Sequence, residues 1–184
     1  MTSKNLLMIV TMALALACAK SAEQPETGKY AQKVPGGLAF SEFKGYEDWQ
    51  LVSISEDGGV VAAILANPVM IDAYKAGFPG NGKPWPDGSK MTKIHWNPTK
   101  MSTFPAATVP GSQHDVDFMV KDSKRFGDSG GWGWAAFEYD SATGSFSPAT
   151  TAASPPQGND AKCGFACHTI VKGRDYVFTD YAAR

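Results

Sequence analysis

The chain has 184 residues, a formal net charge of −1 and a hydrophobic share of 43%. That length suits one domain with a proper core, and the near-neutral balance leaves no basic footprint for nucleic acid. With five Trp, ten Phe and six Tyr, the sequence is rich enough in rings to line a large flat cofactor.

Met1 to Ala19 reads as a secretory leader. Lys4 supplies the positive start, Leu6 to Ala17 the apolar run, and small residues follow. The run is too short for a membrane span. Ala17-Cys18-Ala19 fits a cleavage site, and Cys18 equally fits lipid attachment at a new N-terminal cysteine. Either exit places the mature protein in the periplasm, with membrane contact only if Cys18 is lipidated. Residues 20–37 are polar with Pro and Gly and read as a flexible arm, leaving 38–184 as the domain.

Phe40 to Trp49 carries aromatics on one side and predicts a short helix. Gln50 to Ser55 predicts a strand, ended by the turn cluster Glu56-Asp57-Gly58-Gly59. Val60 to Ala66 is apolar throughout and predicts a buried strand. Asn67 then caps a helix with Pro68 at its first position, and Gly77 stops it. Phe78 to Gly88 is a Gly- and Pro-rich loop. Ser89 to Trp96 predicts a strand on which Met91, Lys93 and His95 point one way and Thr92, Ile94 and Trp96 the other. After a loop, Asp115 to Asp122 alternates Val116, Phe118 and Val120 on one face. Trp132 to Tyr139 predicts a fifth strand, and Ser141 to Asn159 a Ser/Thr/Pro/Ala loop. Five strands against three short helices make an α+β domain, mainly an antiparallel β-sheet with a few short helices.

The loop leads to Cys163-Gly164-Phe165-Ala166-Cys167-His168. Two cysteines followed at once by histidine is how a c-type haem is tethered: each thiol adds to a vinyl group and the imidazole ligates the iron. Three residues separate the cysteines here, one more than usual. On a helix, positions four apart still share a face. A disulfide would leave His168 without a reason, and a zinc site wants four ligands while only His95 and His114 remain. Of three cysteines, one belongs to the leader and two to this motif, so no structural disulfide is left over.

Four stretches resemble the cytochrome P-460 family in order and spacing. They are Trp49-Gln50-Leu51-Val52-Ser53; Trp85-Pro86-Asp87-Gly88 with Lys93 five residues on; Lys121 to Phe126 before Gly131-Trp132-Gly133-Trp134; and the Cys-His motif followed by Asp175-Tyr176-Val177-Phe178-Thr179. The resemblance implies a dimeric β fold with a five-coordinate haem c, His168 as proximal ligand and the distal side open. Relatives that oxidise hydroxylamine bond a lysine to the macrocycle, and Lys93 matches that lysine. Relatives of the β-sheet cytochrome c prime type lack the bond and bind nitric oxide or carbon monoxide. The expected partners are therefore hydroxylamine or a small nitrogen oxide, a redox partner protein and a second copy of the chain. The extra residue between the cysteines departs from the family pattern and bears on whether both thioethers form.

Other residues carry weaker signals. Met91 and His95 share the Lys93 face, His95 on the order of 7 Å along the strand. His95 is read as a surface residue, with distal hydrogen bonding or iron ligation as alternatives. His114 is expected to be exposed. Asp117 and Glu138 are candidate proton acceptors. Trp132 and Trp134 are read as packing.

Overall fold

The computed structural model describes residues 26–35, 37–149 and 160–184, without the side chains of 160–163. Six strands form one antiparallel sheet in chain order: β1 Gln50–Asp57, β2 Val60–Ala66, β3 Lys90–Met101, β4 Phe104–Lys121, β5 Trp132–Asp140 and β6 Ser145–Pro148. Among the described residues two α-helices accompany it, α1 Pro68–Lys75 and α2 Asp160–His168. The protein is thus mainly antiparallel β within an α+β class, as the sequence predicts.

The predicted cap of α1 is present: Asn67 Oδ1 accepts from the Met70 amide at 3.1 Å. It also accepts from the Lys90 amide at 3.0 Å, which ties the helix start to β3. Three elements differ from expectation. The helix expected over Phe40 to Trp49 is two 3-10 turns, Phe40–Phe43 and Tyr46–Asp48. Gly45, at φ +77°, interrupts them with a left-handed backbone that favours glycine. The loop expected between β3 and β4 is instead a long ribbon, paired from Pro98–Pro110 to Lys100–Thr108. A sixth strand, Ser145–Pro148, pairs with β5 inside the segment expected as loop.

The strands alternate their side chains between two clusters, one on each face of the sheet. One face gathers Leu65, Ile94, Val116, Phe118, Val120, Ala135 and Phe137 beneath Phe40, Phe43 and Tyr46 of the 3-10 turns. Val34 and Leu38 are fully buried in the same cluster, so the described end of the expected arm packs onto the domain. The other face gathers Ile64, Ala66, Met91, Met119, Trp132 and Trp134 beneath α1, Trp85, Tyr176 and Val177. Phe165 of α2 packs against this second face. The expected leader, Cys18 included, lies outside the described residues.

Candidate functional site

The strand register lays the second face out in rows. Ala66, Met91, Met119 and Trp134 form one row across β2 to β5. Ile64, Lys93, Asp117 and Ala136 form the next, and Ala62, His95, Asp115 and Glu138 the third. Lys93 and Asp117 are therefore direct cross-strand neighbours, an opposite-charge pairing of the kind that stabilises a ladder.

α2 lies against β5 at the Trp134 end of this face. Gly164 makes that approach close: a Cβ there would sit 2.5 Å from Trp134 Cγ. One turn on, the His168 ring lies 5.6 Å from the Trp134 ring and 5.0 Å from Phe178. Phe165 meets Trp134 at 5.9 Å and stacks on Tyr176. Gly164, Phe165 and His168 thus share the inward stripe of the helix. The helix runs without a break through positions 163 and 167, which share a different stripe one turn apart. Cys167 is an exposed free thiol.

His168 Nδ1 is 2.6 Å from the Tyr176 carbonyl oxygen. A carbonyl only accepts, so Nδ1 carries the proton and Nε2 keeps its lone pair. Fixing the tautomer in this way is what a metal-binding imidazole requires. Burial holds the His168 pKa below the ordinary imidazole value; the Tyr176 carbonyl opposes this and the Lys93 charge adds to it. The ring is therefore neutral at neutral pH.

His95 is 7% exposed, which corrects its reading as a surface residue. Its cause lies across the ladder. His95 Nδ1 donates to Asp115 Oδ1, and Asp115 Oδ2 accepts from His114 Nδ1 at 2.7 Å. His114 is half exposed, so the chain His95–Asp115–His114 runs from the interior to solvent. Burial pushes the Asp115 carboxyl up, but the hydrogen bonds and charges of the two imidazoles outweigh it and hold it below the usual carboxylate range. Ligand atoms of His95, Asp115 and Asp117 lie within 4.8 Å of one another. Both Asp115 oxygens are engaged by histidine, which favours a hydrogen-bonded network over a separate cation site. A polar cavity of about 370 Å³ opens beside His114, Asp115 and Glu138.

The cytochrome P460 family model matches residues 43–179. The chain belongs to the cytochrome P460 family. No curated protein matches the sequence. As a family member it is a c-type haem protein, related to the hydroxylamine-oxidising cytochromes. The residues present fit that group. Cys167 offers a free thiol next to His168, whose Nε2 is left available by the Tyr176 bond. Trp134 Nε1 is buried and finds no hydrogen-bond partner among the described residues, on a ring 5.6 Å from that of His168.

Sequence reasoning singled out Cys167, His168 and Lys93 because each sits in a local motif. It missed the Tyr176 carbonyl, a backbone atom eight residues on, and the burial of His95, which depends on a strand partner twenty residues away. Its reading of Trp134 as packing is incomplete, since that ring also borders His168.

Proposed function

We propose that this protein oxidises hydroxylamine, or acts on a related small nitrogen oxide, at a haem held by Cys163, Cys167 and His168. The observation that carries this reading is Asp117 standing directly across from Lys93, on the sheet face that packs with His168. Removing electrons from hydroxylamine also releases protons, so the site needs bases close to the substrate. Asp117 provides a half-buried carboxylate. His95 provides a second acceptor. Its Nδ1 proton is committed to Asp115, so a proton taken at Nε2 leaves an imidazolium beside a stabilising carboxylate. Asp115 joins that acceptor to His114 at the surface.

Lys93, held on a strand, would lie at the haem edge, where a covalent link to the ring would alter its electronic character. When bound, the haem supplies an open coordination position and an electron sink, and electrons leave to a redox partner protein. The leader reading places this chemistry in the periplasm. A second reading rests on the apolar row Ala66, Met91, Met119 and Trp134, which favours a neutral diatomic gas held without turnover.

Steady-state hydroxylamine oxidation by the holoprotein, with a soluble electron acceptor, separates the two. Turnover is expected in the wild type. Asp117→Asn should lower it by about 10²-fold or more at unchanged haem content. A wild type that binds nitric oxide but does not turn over hydroxylamine would establish gas binding instead.

A further inference from the structure

The tail after α2 takes an unfavourable path. Asp175 and Tyr176 are consecutive non-glycine residues with left-handed backbone, at φ +48° and φ +65°. Such conformations persist only where the surroundings over-determine them, and they gather at functional sites. Here the surroundings can be named. Asp175 accepts from Lys121 Nζ with both oxygens, at 2.9 and 2.8 Å, and its Oδ2 accepts from the Trp85 amide at 2.7 Å. Lys121 is 3% exposed and donates also to the Gly130 carbonyl at 2.9 Å. Tyr176 is equally confined. Its ring lies where a Cβ on Gly130 would sit, 2.3 Å from Tyr176 Cε2, and it stacks on Phe165. The product of this arrangement is one carbonyl, that of Tyr176, aimed at His168 Nδ1.

We propose that Asp175, clamped by Lys121 and the Trp85 amide, is a positioning residue that holds the Tyr176 carbonyl against His168 Nδ1. It thereby sets the orientation and electron donation of the imidazole given to the iron. This rests on the reading of His168 as the haem ligand. Three stretches far apart in sequence, around Trp85, Lys121 and Asp175, meet at this clamp. A simple structural ion pair would not require two left-handed residues in succession. The carbonyl bond strengthens imidazole donation, which favours the ferric state.

The experiment uses covalently loaded holoprotein of the wild type, Asp175→Asn, Lys121→Met, Lys121→Arg and Val116→Ala. Val116 is fully buried on the opposite face and controls for general loosening. The readouts are the iron–histidine stretch of the ferrous protein by resonance Raman and the midpoint potential by spectroelectrochemistry. Asp175→Asn and Lys121→Met should lower the stretch and favour the ferrous state by about tenfold, the equivalent of about 59 mV for one electron. Lys121→Arg should recover part of that shift, and Val116→Ala should leave both readouts unchanged. If Asp175→Asn yields no folded protein, Lys121→Met decides alone. Unchanged stretch and potential in the clamp variants, or equal shifts in Val116→Ala, would overturn the proposal. His168→Ala tests the underlying reading separately: a histidine stretch that survives it shows that another residue ligates the iron.

Discussion

The two faces of the sheet are built from alternate residues of the same strands, and they have been put to opposite uses. On β3, Thr92 and Ile94 face one way and Met91, Lys93 and His95 the other. The first face is closed mainly by aromatic rings, joined by Val34 and Leu38, with half-buried Lys90 lying over the Phe43 ring at its edge. Phe118 meets Phe43 at 4.1 Å, Phe40 and Tyr46 at 5.2 Å and Phe137 at 6.0 Å. Such offset and edge-on contacts add to the area they bury. The second face spends part of its buried area on a lysine, a histidine and two aspartates. Half-buried charges make poor cores, and under the proposed function these groups serve the haem chemistry. Under the proposed function, stability and haem chemistry are divided between the two faces of a single layer.

The division predicts that the faces break differently. Phe118→Ala should destabilise the protein by about 3–5 kcal/mol, the cost of removing a buried ring. Urea unfolding of the holoprotein measures this, and its haem spectrum should not change. A shifted spectrum would mean that the faces are coupled.

A smaller loss is expected on the second face. Gly164→Ala forces a methyl group into the Trp134 ring, and overpacking of this kind costs about 1–3 kcal/mol. The marker of the face is a spectral change, because α2 must move His168 as it lifts. Loss of stability with an unaltered haem spectrum would show that His168 does not depend on the helix seat.

The smallest effect concerns pH. The Asp115 carboxyl titrates below its unfolded value, so its contribution is present above an unfolded pKa of about 3.9 and is lost as pH falls through the lower folded pKa. Wild type should exceed Asp115→Asn in stability by on the order of 1 kcal/mol at pH 6. The gap should close below about pH 4. A gap that persists in acid would assign the difference to something other than ionisation.

Much of this was legible in the sequence, for local reasons. The core strands announced themselves by alternation, α1 by Asn67-Pro68, and the haem segment by Cys167-His168. The outer part of the β3–β4 ribbon did not, because its residues are almost all exposed and include Pro98, Pro105 and Pro110. Backbone pairing builds it, and no apolar pattern records that. β6 was hidden in the same way: Ser145 to Pro148 buries only Phe146. The site followed the same rule. Lys93 was visible from a neighbouring turn, whereas the Lys121–Asp175 clamp joins residues 54 apart and the His95–Asp115 pair crosses a strand boundary. Contacts between distant segments leave no local signature.

The central claim is that the second face carries haem chemistry with Lys93 as part of it. The optical spectrum of the purified ferrous holoprotein, wild type against Lys93→Ala, tests it most directly. The account predicts a red-shifted Soret band in the wild type that reverts to an ordinary high-spin c-type band in the variant. Identical spectra would contradict it, leaving Lys93 an ordinary sheet lysine opposite Asp117.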